Sequence, residues 1–225
     1  MGIALHKRKS SGSTLMTEGT IWKHILLFSI PLILGNMLQQ LYNTVDSIVV
    51  GNSLGSEALA AVGSSSSLIS LLISFSMGAA AGAGVIVSQF IGAQNKKGIH
   101  ESVHTALAIA LILGVVLTVL GITLSPQILR WMGTPDEVMP QSVIYLRLYF
   151  AGLLFSVLYN MASGILNAVG NSKRSLLYLA IASFTNIVLD LLFIPVLKMG
   201  IAGAAIATDI SQVLSAVLCM LYLMR

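Results

Sequence analysis

Charge is scarce in this chain: its 225 residues include 12 Lys and Arg and 8 Asp and Glu, so that 9% of the sequence is charged. Soluble domains carry about 25% charged residues, and this composition therefore argues against a soluble globular protein. The small basic excess lies in short clusters between apolar runs, without a basic helix or an aromatic-studded basic face, which argues against nucleic-acid binding. With 56% hydrophobic residues and a mean hydropathy of +0.91, the sequence predicts a polytopic membrane protein.

Residue types that carry many chemistries are also missing. The single cysteine, Cys219, excludes an internal disulfide and a cysteine-cluster metal site. His100 and His104 are four residues apart, but no third ligand accompanies them, so a zinc site is not supported. The sequence contains no Walker lysine motif and no evident grouping of nucleophile, base and acid. We therefore expect neither an ATP-driven protein nor an enzyme.

What the sequence does contain is six apolar segments, each long enough to cross a bilayer. They predict an all-α polytopic membrane protein whose six transmembrane helices form one lobe, residues 21–225. Residues 1–20 are polar and basic and predict a cytoplasmic tail without a cleavable signal, in which Met16 is a second candidate start. The predicted segments are residues 21–49, 58–91, 103–124, 138–168, 175–197 and 201–224.

Basic residues in alternate loops predict the orientation. Nine of the twelve fall on one side of the membrane, among them Lys96, Lys97, Lys173 and Arg174. The positive-inside rule then places both termini in the cytoplasm and the protein in the plasma or inner membrane. Arg147 lies inside the fourth segment, where we expect it to snorkel to the outer interface or to pair with a carboxylate.

The fifth segment contains one ionisable residue, Asp190, and an amide, Asn186, four residues before it. On an α-helix this spacing puts the two side chains on one face, a turn apart. A carboxylate near the middle of a membrane costs several kcal/mol if it faces lipid. We therefore expect Asp190 to face a protein interior or a wet cavity.

Three other segments carry polar residues along one helical face. Such rows either form hydrogen bonds between helices or line a water-filled cavity, and the ionisable Asp46 favours the cavity. No Lys or Arg lies at matching depth to neutralise Asp46, Asp190 and Asp209, so these acids are expected to take up protons or bind a cation. The rows are Asn36, Gln39, Gln40, Asn43, Asp46 and Ser47, with Tyr42 nearby; Ser156, Asn160, Ser163 and Asn167; and Thr208, Ser211, Gln212 and Ser215, with Asp209 adjacent.

Several motifs resemble those of multidrug and toxic compound extrusion (MATE) transporters. The resemblance runs from about residue 16 to the end of the chain and depends on the motifs taken together. They are Glu18-Gly19, Ile30-Pro31, Gln39-Gln40-Leu-Tyr42-Asn43-Thr-Val-Asp46, Val50-Gly51, Ala58-Leu-Ala-Ala-Val-Gly63, Gly92-Ala-Gln94, Gly164-Ile-Leu-Asn-Ala-Val-Gly170-Asn, Asn186-Ile-Val-Leu-Asp190 and Gly203-Ala-Ala-Ile-Ala-Thr208.

The resemblance implies secondary antiport, in which a drug or metabolite leaves the cell as a sodium ion or proton enters, and no other cofactor is expected. It also implies a cation or proton site in an amino-terminal lobe, formed by Asp46, Asn186, Asp190 and Thr208. Asp209 is not one of the family's ligands. From position, we assign the substrate cavity to Gln39, Tyr42, Asn43, Asn160, Asp209 and Gln212. The acid in this set, Asp209, favours cationic, amphipathic substrates.

The chain departs from the family in one respect. The family fold has two six-helix lobes with the substrate between them, whereas this chain has one. The chain is a fragment, or it pairs with a separately encoded second lobe, or it dimerises with itself. Two other functions stay open. A lipid-linked precursor flippase of a related superfamily predicts a cavity rimmed with Arg or Lys, and an inactive lobe or non-transporting membrane partner predicts that the acids are dispensable.

Overall fold

The computed structural model describes residues 21–224, so the predicted tail, with Met16, and Arg225 lie outside the described residues. Within that range the regular elements are six long α-helices and no strand occurs, which confirms the predicted all-α fold. The helices are α1 Ile21–Leu54, α2 Ser56–Gly92, α3 Lys96–Trp131, α4 Met139–Ala168, α5 Ser172–Phe193 and α6 Ile201–Leu223.

Five of the helices that the structure describes, α2 to α6, are long and apolar enough to cross a membrane. The remaining helix, α1, combines an apolar run before Asn36 with the polar row that follows it. Large apolar side chains are exposed along the helices, for example Ile112, Phe184 and Leu71. A surface of this kind suits lipid, and the helices together form a multi-pass membrane bundle.

Several helix boundaries differ from the prediction: α1 ends at Leu54 rather than at residue 49, and α3 and α5 differ as follows. α3 extends beyond the predicted 103–124 at both ends, because an apolar run marks only the part that crosses hydrocarbon. Its start is capped by Asn95, whose side-chain oxygen accepts a 3.0 Å hydrogen bond from the Gly98 N–H. α5 ends at Phe193 rather than at residue 197. The cause is Pro195, which has no N–H to continue the helical ladder and whose ring clashes with the preceding turn.

Glycines with positive φ join the helix pairs at one end of the bundle. A single residue, Gly55 with φ of 87°, separates α1 from α2, and Gly200 with φ of 62° precedes α6. These values lie in the left-handed region, which glycine adopts at little cost and other residues rarely adopt. The chain can therefore reverse direction abruptly at both places.

α4 is the central helix. It packs against α2, α3 and α6, and to a smaller extent against α5, and it buries more of its length than α2, α3, α5 or α6. Small residues allow two of these contacts. Gly164 of α4 lies against the backbone of Ala80 on α2, and Gly114 of α3 lies against Leu154 of α4. Beside this centre, α5 contacts both α1 and α6, and the polar residues of these three helices meet there.

Candidate functional site

The polar pair of α5 is buried. Asp190 is 0% exposed and Asn186 is 1% exposed, as expected for side chains that share one helical face a turn apart. The Asn186 Nδ2 donates a hydrogen bond of 3.4 Å to the Thr208 Oγ1 on α6. Asp46 of α1 is 8% exposed and lies within electrostatic range of Asp190. Three helices thus direct carboxylate, amide and hydroxyl groups to one buried region.

Several oxygens in this region have no partner. Within residues 21–224, no hydrogen bond reaches the Oδ1 of Asp46, the Oδ1 of Asn186 or either carboxylate oxygen of Asp190. Among the same residues, only Lys97 and Glu101 form an ion pair, and both lie at the surface. A buried carboxylate is costly unless it is paired, hydrogen-bonded, protonated or bound to a cation. The cluster is therefore incomplete without a proton, a cation or water.

The donor set fits a hard cation or a proton. Carboxylate, amide and hydroxyl oxygens are the ligands that hard cations prefer, and Asp46, Asn186, Asp190 and Thr208 offer this mixture. No group of three His, Cys, Asp or Glu side chains among the described residues could hold a metal ion. The chemistry of the site thus depends on two acids and their neutral neighbours.

A small cavity adjoins the cluster between α1, α5 and α6. Its water-accessible space is about 10 Å³, which is close to the room that a single water molecule needs. Asn186 and Thr208 belong to both the cluster and the cavity wall. The other lining residues are Tyr42, Leu179, Ala182, Ser183, Ser211, Gln212 and Ser215.

Three of the residues assigned to the substrate cavity meet beside this space. The Tyr42 hydroxyl lies close to the side-chain amides of Gln39 and Gln212, and it lies within electrostatic range of Asp46 and Asp190. Tyr42 is buried, whereas Gln39 and Gln212 are half-buried. Tyr42 therefore joins the proposed substrate region to the carboxylates.

The polar row of α1 divides into a buried and an exposed part. Asp46 is buried, whereas Asn36, Gln40 and Asn43 are exposed on the outside of the bundle. A row of amides is poorly suited to hydrocarbon, because each unsatisfied polar group there costs several kcal/mol. This part of α1 is therefore suited to water or to another polar protein surface.

Asp209 lies apart from the cluster. Its carboxylate packs against Gly152 of α4, in the space that a Cβ at that position would fill. Tyr149 of α4 is within its electrostatic range. Asn160, also assigned to the substrate cavity, is half-buried on α4. The structure thus places Asp209 between α4 and α6, away from the paired acids.

Two residues of this region were not among the predicted site residues. Ser183 is buried three residues before Asn186, lines the cavity, and has an unpartnered Oγ. Ser183 shares a helical face with Asn186, and this spacing is a sequence signal that could have identified it. Tyr145 of α4 is buried within electrostatic range of both Asp46 and Asp190. No local pattern points to Tyr145, because its position depends on how α4 packs against other helices.

Comparison with known proteins gives consistent matches. The MatE family model matches residues 31–192 of this chain. Two similar curated proteins come from Bacillus subtilis (strain 168). The probable multidrug resistance protein YpnP is 38% identical over 196 residues, 87% of this chain and 44% of that protein. The probable multidrug resistance protein YoeA is 37% identical over 217 residues, 93% of this chain and 46% of that protein.

The fold is also similar to solved structures. A crystal structure of MATE in the bent conformation aligns with a TM-score of 0.86 and 35% sequence identity, over 91% of this chain and 46% of that chain. The chain therefore spans about half the length of the curated relatives and of the structure that it matches.

Proposed function

Because this chain belongs to the MatE family of multidrug transporters, we propose that it is one lobe of a secondary antiporter that exports small cationic organic molecules in exchange for sodium ions or protons. The observation that carries this proposal is the set of unpartnered buried oxygens on Asp46, Asn186 and Asp190. Such a set is costly in a purely structural role and useful in a site whose occupancy changes its charge.

The carboxylate pair provides the coupling. A bound sodium ion or proton would supply positive charge that offsets Asp46 and Asp190. Once that charge is offset, the two acids cease to repel each other, and α1 can shift relative to α5. We expect α1 to bend near Pro31, which lies inside the helix, because proline removes one hydrogen bond of the helical ladder. The bend would reshape the polar face of α1 that lines the substrate passage and release the substrate.

The energy needed for this coupling is modest. The two conformations must differ in their binding free energy for the sodium ion or proton by a few kcal/mol, because an ion that binds both equally shifts nothing. A change of this size is available here, since loss of the bound cation would leave buried carboxylates without a counter-charge, and an uncompensated buried charge costs about 3–5 kcal/mol.

The proposal requires a second lobe. The exposed amides Asn36, Gln40 and Asn43 would line the substrate passage between the two lobes. The second lobe is the remainder of a longer chain, a separate chain or a second copy of this one. The cavity residues also weigh against a lipid-linked precursor flippase. Tyr42, Asn186, Thr208 and Gln212 carry no positive charge, and a pyrophosphate substrate would need Arg or Lys there.

The test of coupling is the pair of variants Asp46→Asn and Asp190→Asn. We would place the chain in a chimera with the half of YpnP that it does not match, and reconstitute the chimera in vesicles. Efflux of a lipophilic cationic dye, driven by a sodium or pH gradient, should be abolished by either substitution. Asp136→Asn is the matched control, since Asp136 is exposed in the α3–α4 connection. Undiminished driven efflux in both buried variants would reject the proposal.

A binding measurement on the chain alone is independent of transport. Sodium at about 100 times its dissociation constant should stabilise the folded chain by about 2.7 kcal/mol, which raises the thermal midpoint by roughly 5–10 °C. Asp190→Asn should remove this shift and Asp136→Asn should keep it. If acidification rather than sodium produces the shift, the coupling ion is the proton. An Asp190→Asn variant that keeps the wild-type shift would refute the ion site.

A further inference from the structure

An arginine on the outer surface of α4 takes no part in the carboxylate cluster. Arg147 is exposed, and its Nε donates a hydrogen bond of 3.3 Å to the backbone carbonyl of Ile122 on α3. The neighbouring surface is apolar, since Val119, one turn before Ile122 on α3, and Ile144, one turn before Arg147 on α4, are both exposed. Arg147 therefore stands on a surface that lipid would cover, and it reaches sideways to a backbone group of the next helix.

Pro126 explains why the Ile122 carbonyl accepts this bond. In a regular helix the N–H of residue 126 would donate to the carbonyl of residue 122. Proline has no N–H, and Pro126 lies inside α3, so the Ile122 carbonyl loses its usual partner. A carbonyl without a partner in apolar surroundings costs free energy. The guanidinium of Arg147 supplies the missing donor.

This contact lies near the boundary between hydrocarbon and headgroups. The apolar run predicted for α3 ends at Leu124, and the next three residues are Ser, Pro and Gln. Helix carbonyls point toward the helix C-terminus, so the Ile122 oxygen points toward this boundary. Trp131, at the end of α3, is 75% exposed, and tryptophan is enriched at the membrane–water interface. The guanidinium is therefore within reach of lipid headgroups.

We propose that Arg147 binds the phosphate of a lipid in the leaflet at the α3–α4 end of the bundle. The hydrogen bond to Ile122 uses Nε and orients the guanidinium plane. Within residues 21–224 the two Nη groups make no hydrogen bond and no ion pair. Their donors suit two oxygens of one phosphodiester, because the planar guanidinium matches phosphate geometry. The ligand is thus a phospholipid, held by a positioned arginine rather than by a mobile charge.

The first test measures lipid retention by native mass spectrometry of the full chain in detergent. Phosphatidylglycerol is one probe, and diacylglycerol with the same acyl chains is the other, because it lacks the phosphate. Wild type should retain phosphatidylglycerol about tenfold better than Arg147→Gln, as expected for loss of a charged hydrogen bond. The two proteins should retain diacylglycerol equally. Equal retention of phosphatidylglycerol by both would overturn the proposal.

Two controls separate a specific lipid site from general charge. Arg130→Gln removes another exposed arginine, in the last turn of α3, and should retain phosphatidylglycerol as wild type does. If Arg130→Gln loses as much lipid as Arg147→Gln, the site is not specific to Arg147 and the proposal fails. Inorganic phosphate at the lipid concentration should not displace phosphatidylglycerol. Displacement would assign the site to a free anion instead of a lipid.

A second variant keeps the proposal testable if Arg147→Gln does not fold. Pro126→Ala restores the N–H that partners the Ile122 carbonyl, so the double variant Pro126→Ala, Arg147→Gln no longer needs the guanidinium for that purpose. The double variant should fold and should still lose about tenfold in phosphatidylglycerol retention. A folded double variant with wild-type retention would overturn the proposal.

Discussion

A close approach of α2 and α4 depends on the absence of a side chain at Gly164. A Cβ at this position would lie 2.9 Å from the carbonyl oxygen of Ala80 and 3.0 Å from the Ala80 Cβ. On the facing helix, a Cβ at Gly84 would lie 3.3 Å from the carbonyl oxygen of Gly164. Because the obstacle is largely backbone, no side-chain rotation relieves it. Gly164→Ala would require α2 and α4 to move apart by about 0.5 Å, to the onset of ordinary contact at 3.4 Å.

The cost of this displacement can be bounded. An extra methyl group in a tightly packed interior costs about 1–3 kcal/mol, and for a chain of this size that lowers the thermal midpoint by roughly 2–12 °C. Gly82→Ala is the matched control, because a Cβ at Gly82 of α2 meets nothing within 4 Å. Alanine is the better helix former by about 0.5–1 kcal/mol, so Gly82→Ala should be as stable as wild type or more stable.

The assay is thermal unfolding of the purified full chain in detergent. The quantity measured is the fraction of protein that still elutes as a monodisperse peak in size-exclusion chromatography after heating. Gly164→Ala should lower the midpoint, and Gly82→Ala should leave it unchanged or raise it. If Gly164→Ala is at least as stable as wild type, the small residues do not determine the spacing of α2 and α4. An equal loss in Gly82→Ala would show that any added methyl group is harmful, and would refute the same reasoning.

Two further predictions address the ends and the centre of the bundle. Tyr222→Phe removes the 2.7 Å hydrogen bond from Asn171 Nδ2 to the Tyr222 hydroxyl but keeps the ring. It should cost about 1 kcal/mol in the same unfolding assay, and an unchanged midpoint would contradict the role of this bond. Gly152→Ala fills the space of the Asp209 carboxylate and should weaken cationic dye export by the chimera as Asp209→Asn does. Unchanged cationic export in both variants would remove Asp209 from the substrate cavity.

Much of the fold could be predicted because the relevant signals are local. Six apolar runs identified six helices, and the ends that differed follow equally local rules. The capping side chain of Asn95 starts α3 before the membrane, and Pro195 stops α5 at Phe193. The spacing of Asn186 and Asp190 indicated one helical face, and both side chains are buried there.

Which side chains of different helices lie next to each other could not be predicted in the same way. Asp46 and Asp209 are both acids in polar rows, yet Asp46 joins Asp190 whereas Asp209 lies over Gly152 on α4. Tyr145 lies near the acids without any sequence signal. The polar row of α1, continuous in sequence, separates into exposed amides and a buried acid. These outcomes depend on which helix faces which.

By itself, the sequence determined that this chain is a membrane bundle of six helices and that it carries acids with no basic residue at their depth. Hydropathy and helical period are properties of neighbouring residues, and they need no knowledge of distant contacts. Only the tertiary structure decided which of these acids meet, which oxygens are left without a partner, and why Arg147 reaches Ile122. Those results depend on close packing between helices that are far apart in the chain. There, a single glycine without a Cβ can determine how closely two helices approach.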